Sequence, residues 1–459
     1  MKKVTLIIGS ILFSTLFYEQ SLGLNITFFC LITLAVLITY NLKAFKRKST
    51  VAYSLLYVIS AISFFFFNSN LALIANILSF LTLVGHVSEL NTSIYVNWLN
   101  GFYTFVAGFF HRNFAIDKTE DRVKPKKDID YVQWIKIIGI PLAVITIFIS
   151  LYRKGNPVFN DLINKIDFGF INFQWILLSF FGYYLLYNIS KPVKVDPATS
   201  LDKNTNNNLT QKHELLLTTL KKENQLGVVL IALLNLLILF FLITDFTFLL
   251  STKDLRASVY SNQVHSGINA LIASIVMAIA IILYFFRGNL NFYKENTHLK
   301  MLAYIWIVLN LILVINTAIK DCQYIYYFGF TYKRIGVLMY LLLTVIGLTT
   351  TAIKVKNIKN LWYLLRVNTI TAFAILVISC TINWDAHITH YNLNFAKSID
   401  FNYLINLSNN NVFVLKEHCE NINLDEEKVR KIENKYNKYI QQLKRNNWQE
   451  FNYDNFKLQ

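Results

Sequence analysis

Charge is the first thing this chain lacks. Only 15% of its 459 residues are Asp, Glu, Lys or Arg, against about 25% in an average soluble domain. Spread evenly, that supply would leave a soluble surface uncovered, which excludes an ordinary cytosolic enzyme. Cysteine is scarce too, at four, too few for a disulfide-stapled secreted scaffold. There are five prolines. No HExxH, paired CxxC, GxSxG elbow or Walker loop occurs, so none of these signatures indicates an activity. No repeat recurs at a fixed period.

What is present is apolar. Hydrophobic residues make up 54%, aromatics 15%, and mean hydropathy is +0.41. They come in long blocks, as a chain crossing a bilayer core of about 30 Å requires. Eleven blocks are predicted as transmembrane helices: 4–18, 24–42, 51–67, 71–87, 133–152, 171–190, 226–249, 266–286, 299–319, 335–354 and 361–382. Lipid offers no partner to an open strand, so the expected fold is an all-α, polytopic membrane protein. The first block has a basic start, Lys2-Lys3, and no small-residue cleavage site. It reads as an uncleaved signal anchor. The segment Tyr95–Phe110 carries Trp98, Leu99, Phe102, Phe105, Val106 and Phe109 on one stripe. Asn97, Asn100, Gly101, Thr104 and Gly108 fill the other. That pattern predicts one interfacial helix in the membrane plane; the alternative, a twelfth span, would invert everything after it, and the charge count argues against it.

The net charge is +17. With the N-terminus inside, inner segments carry 24 Lys and Arg and the short outer loops 8. That bias supports an N-inside orientation in a cytoplasmic membrane. It makes the excess an orientation signal and gives no nucleic-acid footprint. Three units follow: 1–132 with four spans, 133–382 with seven, and an extracytoplasmic helical tail over 383–459. In the tail, Asp425–Asn447 reads as an amphipathic helix with Val429, Ile432, Tyr436, Tyr439, Ile440 and Leu443 on its stripe. It suits packing within a small tail domain better than docking of a partner. The polar loops 111–132 and 191–225 read as linkers, the stretch 202–208 as flexible.

The informative residues are polar groups where polarity is costly. Asp245 lies about 6 Å inside the outer end of its block by helical rise. A buried Asp near lipid calls for a cation; Lys253, Arg256 and His265 follow, then Asn269. Asn235 and Asn310 sit near block centres. Against the inside bias stand Arg153-Lys154, Arg256 and Lys333-Arg334, the last pair beside Tyr324, Tyr326, Tyr327, Phe328, Phe330 and Tyr332. Arg and Lys beside an aromatic belt suit phosphate or carboxylate groups, and also simple interfacial anchoring. The ligand-binding candidates are therefore Arg153, Asp245, Arg256, His265, Asn269, Asn310, Tyr332, Lys333 and Arg334. His387 and His390 share a helix face, a weak metal signal; no metal or cofactor is expected. Cys322 and Cys419 fall on one side, and unpaired thiols are the expected state.

Several segments, in order, carry a resemblance. They are LYRKGNPVF (151–159), VHSGINALIASIV (264–276), YFFRGNLNFYKEN (284–296), LKMLAYIWIVLN (299–310), GFTYKRIG (329–336) and HYNLNFAKSIDFNYLINLS (390–408). Together with LFYEQSLGLNI (16–26), the chain resembles a bacterial family of inner-membrane proteins catalogued only as a domain of unknown function. The resemblance implies a multi-pass helical protein with an outer helical tail, and implies no activity. Residues matching its motifs are Arg153, Asn156, Pro157, His265, Arg287, Asn310, Tyr332, Lys333, Arg334, Asp385, Asn392 and Tyr403. The family does not rely on His390 and often has Tyr or an aliphatic residue at His387. That departure weakens the metal reading further. The family's usual proline near Val412 is also missing, which leaves the end of the YLINLS helix open.

Three functions fit this pattern. One is binding or transport of an anionic lipid or envelope small molecule at the outer face. Another is a sensor whose tail binds a signal and whose inner loops touch a cytoplasmic protein partner. The third is a membrane-embedded transferase with His265 as base. It lacks the paired carboxylates such a first outer loop carries, since Glu19 stands alone.

Overall fold

The computed structural model describes residues 2–114, 131–165, 172–211, 217–251, 257–421 and 425–458. It is 84% helical, with no strand among the described residues. The chain opens with α1 (Lys2–Phe17), α2 (Leu24–Tyr40), the single turn α3 (Leu42–Phe45), α4 (Lys48–Phe67), α5 (Asn70–Ser88) and α6 (Ile94–Phe114). Next come α7 (Tyr131–Gly155), α8 (Pro157–Lys165), α9 (Phe173–Ser190) and α10 (Ala198–Asn204). Five long helices follow: α11 (Leu217–Ser251), α12 (Ala257–Phe285), α13 (Thr297–Phe328), α14 (Tyr332–Lys356) and α15 (Leu361–Cys380). The tail holds α16 (Trp384–Asn394), α17 (Phe401–Ile405), α18 (Val412–Asn421), α19 (Glu426–Arg445) and three 3-10 turns, Asn409–Asn411, Trp448–Glu450 and Tyr453–Leu458.

Six of the described helices, α4, α5, α11, α13, α14 and α15, are long and apolar enough to cross a membrane. Their outward faces explain why. On α11, Leu233, Leu236, Leu237 and Phe240 are each at least 60% exposed, while Ile231, Ile238 and Leu242 are buried against α13. A continuous apolar face of that kind needs an apolar solvent.

Two groups of helices pack separately around their own cores. In the first, Leu6, Leu34, Leu37, Tyr57, Leu83 and Leu186 bring α1, α2, α4, α5 and α9 together. Small residues allow α1 and α9 to approach, and Ser14 Oγ and Ser179 Oγ meet at 2.6 Å across them. Close packing and interhelical hydrogen bonds of this kind hold helices where lipid removes the hydrophobic drive. In the second group, Ile231, Ile282, Phe285, Trp306 and Leu348 tie α11, α12, α13 and α14. Helix α15 joins the two. It packs on α14, α4, α5 and α6, with Phe373 and Val377 against Ile94.

Helix α6 is built with its polar side inward. Asn97, Asn100 and Thr104 are buried, while Leu99, Phe102, Val106 and Phe110 are exposed. Glycines let its backbone touch that of α5. A Cβ on Gly85 would stand 1.9 Å from the Asn97 carbonyl oxygen, and one on Gly101 2.2 Å from that of Leu81. Only hydrogen fits at either position.

The stretch read as a flexible linker is instead pinned. Asp202 is 3% exposed. It accepts hydrogen bonds from the Ser93 amide and hydroxyl at 2.8 and 2.5 Å, and from Tyr95 Oη at 2.8 Å. Arg366 of α15 reaches it at 3.1 Å and also donates to the Thr205 carbonyl. Burial raises the Asp202 carboxyl pKa, but these donors outweigh it and hold the value below the ordinary range. The asparagine run looks like linker because its anchor lies 164 residues away.

Candidate functional site

Helices α11, α13 and α14 carry a belt of charge near the end of the bundle that faces the tail. Asp245 of α11 accepts from both Asn316 and Lys320 of α13. The side chains of Asp245 and Lys320 are 10% and 12% exposed. The next residue, Asp321, is 1% exposed and turns toward α14. The charge of Arg334 on α14 acts on it. Four charges on three helices thus sum to zero, as burial demands.

Arg334 is placed by a turn. Helix α13 ends at Phe328, and Gly329 takes a φ of +75°, which favours glycine. The chain reverses, and Thr331 caps α14 by accepting from the Arg334 amide at 3.3 Å. The Arg334 guanidinium folds back, donating to the Phe328 carbonyl at 2.9 Å and to that of Gly329. It also stacks 4.0 Å from the Tyr324 ring centroid. Orphan carbonyls at the α13 C-terminus are satisfied this way. Within the belt, two buried polar atoms, Asp321 Oδ2 and Arg334 Nε, have no hydrogen-bond partner among the described residues.

The tail closes over this turn. Tyr332 Oη donates to Asp385 at 2.7 Å, and the Tyr332 amide donates to Tyr403 Oη at 2.9 Å. Asn392 brackets Phe330, accepting from its amide at 2.5 Å and donating to its carbonyl at 2.9 Å. Asp385 also accepts from Ser408. Beneath it, Lys435 of α19 donates to the Leu407 and Ser408 carbonyls and to Asn411 at 2.8 to 3.1 Å. Burial lowers the Lys435 pKa to about 8, with the nearby Asp385 charge acting the other way. Helix α19 packs Ile432, Tyr439 and Leu443 inward, against the tail's own residues such as Val412. The end of the tail reaches the first hairpin. The Leu24 amide donates to Phe451 O at 2.7 Å and the Ser21 amide to Glu450 Oε1 at 2.6 Å.

The structure gathers some of the predicted site residues and leaves others apart. Asp245 and Arg334 join the belt, and Tyr332 joins the tail contact. Lys333 is exposed at the start of α14. Asn310 is 1% exposed at mid-helix, donating to the Trp306 carbonyl. Asn235 makes an interhelical bond to Leu302 O at 3.0 Å. Arg153 is exposed on α7, with Nε on Asn160 of α8 at 3.0 Å. Lys253 and Arg256 lie outside the described residues. His265 and Asn269 fall on α12, but their side chains are outside the described set. His387 and His390 are exposed on α16. All four cysteines are free thiols, including Cys322 and Cys419.

Sequence reasoning missed Lys320, Asp321 and Asn316. Their signal was present as a polar face, Asn310, Asn316, Thr317, Asp321 and Tyr324, all buried on one side of α13. A block predicted to end at residue 319 left Lys320 and Asp321 outside the helix, while Asn316 lay within it unremarked.

No curated protein matches this chain, and neither does any solved structure. The family model described as a domain of unknown function, DUF4153, matches residues 6–418. With nearly its whole length matched and its helices apolar as described, the chain belongs to the DUF4153 family.

Proposed function

We propose that this is an integral protein of a bacterial cytoplasmic membrane that binds and transports an anionic lipid or small envelope molecule at the outer face. In this reading it has about eleven spans, with the N-terminus inside and the tail outside. Short apolar helices such as α2 add to the six long ones, and the basic bias of the connectors sets the orientation. Helix α6 lies along the inner surface. Thr104 meets Val193, and Arg112 donates to the carbonyls of Tyr187, Asn188 and Lys191, all at the α9 end. Its exposed apolar stripe then faces lipid.

The observation that carries the binding role is the belt. Ionisable groups inside a span bundle are costly and mark ligand or ion pathways by default. Here Lys320 is balanced by Asp245, while Arg334 keeps Nε unspent beside the exposed Lys333. An anionic group docking at the α13–α14 turn would meet both cations and the aromatic ring of Tyr324. The tail contact through Tyr332 and Asp385 lies directly on this turn, so tail position and ligand occupancy would be linked.

The test is a cryo-EM reconstruction in nanodiscs containing phosphatidylglycerol, with a Lys333→Gln/Arg334→Gln comparison. Headgroup density against Lys333 and Arg334 is expected in the wild type and absent in the variant. A map with ordered lipid elsewhere and none at this turn would overturn the reading.

A further inference from the structure

A second basic site lies at the opposite end of α1, where the first helices begin and end. A cavity of about 540 Å³ opens there, lined among others by Lys2, Tyr40, Asn41, Lys43, Arg47 and Leu90. Three of its residues are cations and none is acidic. The carboxylate next to it in sequence, Glu89, is already engaged by Lys194 and Lys203 at 3.6 and 2.5 Å. Lys2 is held in place. Its carbonyl accepts from Tyr40 Oη at 2.6 Å, and its ammonium stands 5.4 Å from the Tyr40 ring centroid. Arg47 occupies the N-cap of α4, a 20-residue helix. The free amides of that helix end add partial positive charge.

Net positive charge without a counter-ion, in a cavity, selects an anion. The surroundings select a lipid. Leu42 lines the same cavity and is 61% exposed, giving an acyl chain an apolar exit beside the three exposed cations. We infer that the cavity holds the phosphate of one anionic phospholipid, with Lys43 and Arg47 on the phosphoryl oxygens and Lys2 completing the charge.

Orientation alone places cations at this membrane face, and the chain supplies the control. Lys46 and Lys48 flank Arg47, are exposed, and do not line the cavity. The full-length protein in mild detergent would be examined by native mass spectrometry with phosphatidylglycerol, using phosphatidylcholine as reference. The wild type is expected to retain one phosphatidylglycerol. Lys43→Gln/Arg47→Gln should lower that retained fraction about tenfold or more, and Lys46→Gln/Lys48→Gln less than about twofold. Leu90→Trp fills the cavity without changing charge and should also lower retention. Equal losses in the two charge variants would overturn the site, because the attraction would then be diffuse. So would full retention in Leu90→Trp. Displacement of the lipid by millimolar inorganic phosphate would overturn the lipid assignment in favour of a free anion.

Discussion

The carboxylate of Asp245 and the ammonium of Lys320 form an ion pair between α11 and α13, each about nine-tenths shielded from solvent. Removing one partner strands the other. Lys320→Met or Asp245→Leu alone is expected to cost about 3–5 kcal/mol, whereas the double variant should return close to the wild type. Thermal unfolding in detergent of the two single variants and the pair, read as a double-mutant cycle, checks this. Additive losses would mean that the two charges do not compensate each other.

Arg334→Lys keeps the charge but ends one bond short of Nη1, the nitrogen that donates to both carbonyls, and loses the planar group stacked on Tyr324. Phe328 O or Gly329 O is then left without its donor. A loss of about 1–3 kcal/mol is expected, with faster amide exchange over 326–335. Unchanged exchange there would show that the turn holds without the guanidinium.

Tyr332→Phe deletes the hydroxyl that donates to Asp385. The cost should be about 1–2 kcal/mol and should appear in the tail. Hydrogen exchange over 384–405 is expected to accelerate, with α11 and α13 unaffected. Acceleration spread evenly over the bundle would argue that the tail is not a separately opening unit.

Gly23→Ala should detach the end of the chain. A Cβ at Gly23 would stand 2.2 Å from the Glu450 carbonyl oxygen, a backbone atom that no side-chain motion can clear. Trypsin cleavage at Lys457 is expected to accelerate severalfold. Wild-type cleavage kinetics would show that the segment moves aside at no cost.

The Asp202 anchor should fail in acid. Its carboxyl titrates below the ordinary value of 3.8 when folded. The stabilisation is therefore fully present above that value and lost as pH falls through the folded pKa. Exchange in 198–209, corrected for intrinsic rates, should rise below about pH 4, and Asp202→Asn should show the rise at neutral pH. A pH-independent profile in the wild type would contradict this.

Much of the helical layout was legible because apolar blocks must be helices in lipid. Helix α19 was legible to within two residues, since its stripe and its Glu427–Lys431 pair are local features. Asp245 stood out as an acid in an apolar run. Its partner did not, because Lys320 follows a block that seemed to end, and α13 continues to Phe328. Arg334 was visible as a cation among aromatics, yet its work on two carbonyls depends on the reversal at Gly329. The Asp202–Arg366 clamp was out of reach. Nothing near Asp202 encodes a partner on another helix.

The contact of Glu450 and Phe451 with Ser21 and Leu24 also sets an order of events during synthesis. The α1–α2 turn emerges from the ribosome more than four hundred residues before the residues that cover it. Until then the Ser21 and Leu24 amides lack these partners. Completion of the first hairpin therefore waits for delivery of the tail to the same membrane face. A chain stalled before residue 448 would carry an open turn that quality-control proteases can recognise.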